Sequence, residues 1–377
     1  MRKGWEYKKL GDCTQILDSQ RKPVTKRDRK SGIYPYYGAT GIQDYVDKYI
    51  FDGRYVLVGE DGAKWSSFTQ SAFIIEGKTW VNNHAHVLRT NDFLVDSFLV
   101  YFLNYSDLDS YISGAIIRKL TQASLRNIDI PLPPKSTQLA IVSELDKINE
   151  LIRLKKEQLK DYDNLAQSLF YEMFGDPVEN EKGWEVKKLG DVCEVTSAKR
   201  VFIDEVVESG VPFIRGTELT ALSKLVPGEK MDYTLFITYE HYERLKAITG
   251  VPKIGDLLIP SINADGIVWM VDTEDPLYFK DGRVLWVHVN HEYYNSIAIQ
   301  KLMNVLIKNV FTSMGGATFA ELKLFVLRNM NVPTPPLSVQ DAFSEKIKQI
   351  DAQKLQVKKS IQDLETLLAS RMQYWFE

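Results

Sequence analysis

Cysteine is nearly absent. Cys13 and Cys193 are the two in 377 residues, and each follows a Leu-Gly-Asp phrase. The pattern reads as two small buried side chains in equivalent places, not as a disulfide framework. Histidine is scarce too. His84 and His86 alternate within NNHAHVL and would share one face of a strand, yet no third ligand stands near them in sequence, so no metal site is expected. Charge of one sign is not in excess: the formal net charge is -3. No global basic field points to a polyanion, although a local basic face would still serve. Long apolar runs are missing, and MRKGWEYKK has none of the apolar stretch of a secretion signal. A cytoplasmic, reduced protein is therefore expected. Catalytic signatures are missing as well. There is no glycine fingerprint for a nucleotide, no Ser/His/Asp order, and no Asn/Asp-Pro-Pro-aromatic phrase of amino-methyltransferases. Ala72-Phe73-Ile74-Ile75-Glu76-Gly77-Lys78-Thr79 comes nearest to a phosphate loop, but its middle is strand-like and no helix start follows. No catalytic residue is expected, and the chain reads as a binder.

Repetition is what the sequence has instead. GWEYKKLGD at residues 4 to 12 returns as GWEVKKLGD at 183 to 191, and LRNIDIPLPPKSTQ at 125 to 138 returns as LRNMNVPTPPLSVQ at 327 to 340. A unit with matching start and finish, used twice, is the reading. The opening recurs 179 positions on and the close 202, so the second copy is the longer. Each copy begins with a Gly- and aromatic-rich mixed segment. Short runs such as Tyr55-Val56-Leu57-Val58 and Leu257-Leu258-Ile259 read there as buried strands.

A long helix follows each close. Pro133-Pro134 and Pro335-Pro336 can precede a helix but not lie inside one, and Ser136 and Ser338 then stand as candidate N-caps. Stepping by four and three from Ile141 reaches Leu145, Ile148, Ile152, Lys155, Leu159, Tyr162, Ala166, Leu169 and Met173. The second copy gives Phe343, Ile347, Ile350, Lys354, Val357, Ile361, Leu364, Leu368, Arg371 and Trp375. Both are heptad seams broken mainly by one central lysine, and two such helices in one chain are expected to pack on each other as a coiled coil. Connectivity permits parallel or antiparallel pairing. Duplication favours antiparallel, with a pseudo-twofold relation between the copies. Arg371, on the seam near the chain end, marks fraying or a partner contact.

Binding candidates lie in corresponding places of both copies. Arg21, Lys22, Lys26, Arg27, Arg29 and Lys30 fall within ten residues, beside the aromatic phrase YPYYGATG that supplies Tyr36, Tyr37 and Thr40. Lys64, Asn83, His84, Arg89, Arg118 and Lys119 come later. The second copy offers Arg215 and Thr217 at the place of Gly38-Ala39-Thr40, then Asn263, Lys280, Arg283 and the glycine loop around Thr318. Cations flanking an aromatic, glycine-containing loop suit phosphate contacts beside a base-reading surface.

In combination and order these phrases resemble the DNA-specificity subunit of Type I restriction–modification systems. GWE-KKLGD, YPYYGATGI, NNHAHVL, the PLPP-to-helix junctions and the FGDP close at 174 to 177 carry the resemblance, which covers essentially the whole chain. It implies an α+β protein: target-recognition domains over 1–135 and 176–336, and long helices over 136–175 and 337–377 paired antiparallel. It also implies double-stranded DNA as ligand, read as an asymmetric bipartite target. Two methyltransferase subunits and two translocase–nuclease subunits would be partners. They would hold the S-adenosylmethionine, ATP and Mg, with none of these bound by this chain. A recognition subunit lacking the translocase, a coiled-coil scaffold for proteins, or an NTPase built around Lys78 are the alternatives.

Overall fold

The computed structural model describes residues 5–114, 116, 118–226, 229–313 and 321–377, and divides into two compact units. Unit 1 comprises Met1–Lys156 with Ser360–Glu377, and unit 2 comprises Glu157–Lys359.

In unit 1 the strands are β1 (Glu6–Lys9), β2 (Thr14–Ile16), β3 (Ser31–Gly38), β4 (Gly41–Val46), β5 (Phe51–Gly59), β6 (Ala72–Val81), β7 (Ala85–Thr90), the short pair β8 (Ile112–Ser113) and β9 (Lys119–Leu120), and β10 (Asp129–Leu132). Six of them form one sheet in the order β2-β7-β5-β6-β3-β4, with β3 parallel to β6 and the other pairs antiparallel. The run Tyr55 to Val58 lies within β5 and is buried throughout, as its β-branched composition predicts. Ala72 to Thr79 is part of the ten-residue β6 and forms no phosphate cradle.

The two repeated phrases turn out to be hydrogen-bonded partners. β1 pairs antiparallel with β10 from Glu6↔Leu132 to Lys9↔Asp129. In unit 2, β11 (Val186–Lys188) pairs the same way with β19 (Asn331–Pro333). The Leu-Gly-Asp that follows is constrained by close approach: a Cβ at Gly11 would lie 3.1 Å from the Arg126 side chain, and at Gly190 3.1 Å from the Arg328 carbonyl oxygen. Cys13 and Cys193 are buried beside these turns as free thiols, and burial pushes the Cys193 thiol up to about 11.

Unit 2 keeps the plan with a smaller sheet. β12 (Glu194–Ser197), β15 (Leu257–Pro260), β16 (Trp269–Met270) and β18 (Val284–His288) form a sheet in the order β12-β18-β15-β16. β13 (Val211–Ile214), β14 (Phe236–Ile237) and β17 (Tyr278–Phe279) form another in the order β14-β13-β17. The added length includes the helices Gly216–Leu222 and Tyr239–Thr249, inserted between β13 and β15.

The long helices run Lys135–Phe174 and Leu337–Phe376, 40 residues each. Ser136 and Ser338 therefore sit inside the first turn and are not the caps expected. The carbonyl of Pro134 receives the Thr137 and Gln138 N–H groups, and that of Pro336 receives those of Val339 and Gln340. The buried amides of Gln138 and Gln340 fasten the junctions. Gln138 accepts from the Val95 N–H and donates to the Phe93 and Pro133 carbonyls. Gln340 accepts from the Asn295 N–H and donates to the Tyr293 and Pro335 carbonyls.

Every residue of the two heptad seams is buried or half-buried. Contacts are antiparallel within each unit. In unit 1, Glu144 receives Arg371 and the Trp375 indole N–H (3.0 Å), while Lys156 lies 2.8 Å from Glu365. In unit 2, Phe174 packs edge-on against Phe343, and Asp163 holds the seam residue Lys354 at 2.6 Å. Arg371 is thus an ion-paired seam residue stacked on Tyr374, and the expectation of a frayed end is corrected.

Candidate nucleic-acid interface

The sheet of unit 1 delivers four chain segments to one cluster: 18–22 after β2, 60–66 after β5, 82–86 from the β6–β7 turn into β7, and 118–122 around β9. Beneath them lies a buried ion lattice. The Arg21 guanidinium contacts Glu60 at 2.5 Å and Asp18 at 3.3 Å, and donates to the Asn83 and Ala85 carbonyls. Lys119 reaches the other Glu60 oxygen at 2.7 Å. His86, fully buried, meets Asp18 through Nδ1 at 2.5 Å and the Leu120 carbonyl through Nε2 at 2.8 Å. Burial pushes the Asp18 and Glu60 carboxyls up. The hydrogen bond from His86 to Asp18, and those from Lys119 and Arg21 to Glu60, outweigh it and hold both below the ordinary carboxylate range. Asp18, Glu60 and His86 stand close enough to grip a cation. Their oxygens are already engaged by Arg21, Lys119 and Gln122, so the arrangement is that of a charge-compensated lattice and not of a metal centre.

Arg21 and Tyr36 need correction as surface contacts. The Arg21 side chain is only 12% exposed and turned inward. Tyr36 is buried, carries the Arg29 guanidinium at 4.1 Å from its ring centre, and bonds the Val24 backbone through its hydroxyl. Tyr37 is half-buried against Phe73. What stands exposed around the lattice is Lys64, Asn83, His84 and Arg118, with Lys119 half-exposed. Arg118 pairs with Asp109 at 2.8 Å, and His84 Nδ1 lies 2.5 Å from Asp61. Lys22, Lys26, Arg27 and Lys30 are exposed along the segment leading to the β3–β4 hairpin, whose turn exposes Thr40. The Trp80 indole N–H holds that segment by the Lys22 carbonyl at 2.6 Å.

Unit 2 repeats the frame with other side chains. In unit 1 the Glu60 N–H donates to the His84 carbonyl and the Leu120 N–H to the Glu60 carbonyl, both at 2.8 Å. In unit 2 the Ser261 N–H donates to the Arg283 carbonyl at 2.9 Å and the Leu322 N–H to the Ser261 carbonyl at 2.7 Å. Strand pairing just inside agrees, Gly59↔Ala85 against Pro260↔Val284. Arg283 therefore occupies the place of His84, Ser261 that of Glu60, and Glu321 that of Lys119. Glu321 accepts from Arg283 (3.4 Å) and from the Ser261 hydroxyl (3.2 Å). Arg200, at Arg21's distance from the repeated opening, is exposed and pairs with Asp281 at 3.1 Å. Lys280 and Thr217 are exposed, and Arg215 is half-buried against Glu218 at 2.7 Å. Asn263 is buried as a loop clamp, bonding both the N–H and the carbonyl of Ile267, so it is corrected as a surface contact. Thr318 lies outside the described residues. Sequence reasoning missed Asp61, Arg200 and Glu321. Counting 202 positions on from Lys119 would have found Glu321, and 179 on from Arg21 would have found Arg200.

A family model described as the Type I restriction modification DNA specificity domain matches residues 2–161 and again 181–366. A Haemophilus influenzae protein, named provisionally as a type I restriction enzyme specificity subunit, is 32% identical over 342 residues, covering 89% of this chain and 84% of its own. The MjaVIII specificity subunit of a type I restriction enzyme from Methanocaldococcus jannaschii is 23% identical over 375 residues, covering 92% and 86%. The crystal structure of a type I restriction-modification system S subunit from M. genitalium shares the fold at TM-score 0.57 and 15% identity, covering 99% of this chain and 96% of that one. Among the described residues, no helix is long and apolar enough to cross a membrane.

Proposed function

Because the chain belongs to the Type I restriction modification DNA specificity family, we propose that its two recognition domains read two different half-sites of one asymmetric, bipartite duplex target. One observation carries this reading. The frame around Glu60 and Ser261 is the same, while the side chains mounted on it differ in size and charge: His84 against Arg283, Lys119 against Glu321. Equal frames with unequal side chains suit equal docking and unequal base readout in the major groove. The antiparallel helices act as a ruler. At 1.5 Å per residue each spans about 60 Å, enough to serve half-sites about one DNA turn apart, roughly 34 Å.

Partners complete the chemistry. Two adenine-N6 methyltransferase subunits supply S-adenosylmethionine, and two translocase–nuclease subunits supply ATP and Mg for restriction. This chain contributes recognition and placement. Lys22, Lys26, Arg27 and Lys30 contact phosphate. Replacing all four with Ala lowers the salt slope of binding by up to ~0.9 for each phosphate they neutralise, without redrawing the target. Competition gel shifts of the complex with its methyltransferase partner test the reading. Sequence-selective, salt-sensitive binding is expected, and binding indifferent to sequence would sink it. Adding one heptad at matched points of both helices should lengthen the tolerated spacer; an unchanged spacer removes the ruler.

A further inference from the structure

We propose that His84 and Arg283 are equivalent specificity-determining positions, one in each recognition domain, and that Asp61 and Glu321 are the positioning residues that aim them. The proposal deepens the reading of two unlike half-sites and rests on it.

The equivalence is one of backbone. Each residue immediately precedes its strand, β7 or β18, and offers its carbonyl to a loop residue, Glu60 or Ser261, that in turn receives a leucine N–H, Leu120 or Leu322. The first bond holds the carbonyl of each residue and the second anchors its loop partner, so the backbone frame at the two positions is alike while the side chains differ. Each side chain is largely exposed, 46% for His84 and 53% for Arg283, and each is held by one carboxylate from an adjoining loop. The carboxylates come from different segments, Asp61 after β5 and Glu321 before Leu322. An acid has thus been placed beside this position twice by different routes. Exposed pairs of this kind contribute little to stability. Their effect is to restrict rotamers, which matters where a side chain must meet a base edge. Asp61 engages Nδ1 of His84 and leaves Nε2 as the atom that meets the groove. Glu321 engages one Nη of Arg283 and leaves the rest of the fork for the N7 and O6 of guanine.

The test uses the chain assembled with its methyltransferase partner and a panel of duplexes carrying every single-base change across both half-sites. Arg283→Ala should lower discrimination about tenfold to a hundredfold at one position of one half-site. His84→Ala should do so in the other half-site only. Arg283→Lys keeps the charge without the fork and should resemble Arg283→Ala in selectivity. Glu321→Gln and Asp61→Asn should each weaken discrimination several-fold at the position of the residue they aim, with thermal unfolding unchanged. Selectivity that survives both Ala variants, or affinity reduced equally on all sequences with a smaller salt slope, overturns the proposal and leaves the two-half-site reading standing. A wild-type complex without sequence selectivity overturns both.

Discussion

Arg21 shows how far residue type alone can mislead. It opens a run of six cations and looks like the first phosphate contact, but it is the inward-facing centre of an ion lattice. The sequence could not show this, because Glu60 and the Asn83 and Ala85 carbonyls reach Arg21 from two distant segments, and only Asp18 is its neighbour in the chain. Removing one partner of a buried pair is costly. Arg21→Ala should therefore destabilise unit 1 by about 3 kcal/mol in urea unfolding, while leaving the salt slope of DNA binding intact. A reduced slope at unchanged stability would return Arg21 to the surface. The lattice also predicts acid sensitivity. The Asp18 and Glu60 carboxyls lie below their ordinary values in the fold, so their stabilisation is present at neutral pH. It should fade as pH falls from the usual carboxylate range toward their lowered values. Asp18→Asn should flatten that acid limb, and a limb of unchanged steepness would contradict the assignment. Tyr36 and Asn263 misled for the opposite reason: polar and aromatic groups near glycine loops look like ligands' partners, but Tyr36 pins the Val24 segment and Asn263 clamps its own loop. His84 and Arg283, legible as cationic or polar residues next to strands, did emerge exposed.

At the level of elements, periodicity was the most legible signal. The heptad seams place every residue where the pattern put it, including the lysine that interrupts the second seam and finds Asp163. Short apolar runs gave strands β5 and β15 for the same reason: burial on both faces demands them. What periodicity cannot give is the partner of a short strand. The opening and closing phrases were visible as repeats, yet only the fold shows them paired as β1 with β10 and β11 with β19. The glutamines after the prolines were likewise visible as repeated letters without a role. Gln138 ties its helix to residues 93–95, and Gln340 ties its helix to residues 293–295. Gln138→Ala strips partners from the Val95 N–H and from the Phe93 and Pro133 carbonyls. The expected cost is about 3 kcal/mol, counting about 1 kcal/mol for each buried group left unmet. Gln340→Ala should cost as much in unit 2. Chemical denaturation of each variant would check it, and a loss well under about 1 kcal/mol would mean that water replaces the amide at no cost.

For the molecule as a whole, duplication was legible and its asymmetry only partly so. Unequal spacing of the repeats announced extra residues in the second copy, and the structure puts the helices Gly216–Leu222 and Tyr239–Thr249 among them. Composition could not foretell that the two frames would bear an ion lattice in one unit and smaller polar contacts in the other. Unit 1 contains one more consequence. Phe98 receives Trp5 on one side, ring centres 6.4 Å apart, and Phe376 on another at 5.5 Å, so two residues far apart in the sequence meet on a single ring. In unit 2 the corresponding meeting is an ordinary stretch of chain, where the Trp184 indole bonds the Phe174 carbonyl across Gly175 to Gly183. Topologically the stretch from Trp5 to Phe376 is close to a closed circuit. Splicing Glu377 to Trp5 through a copy of that stretch, and reopening the backbone after Asp176, should give a permutant with the parent's circular dichroism and target preference.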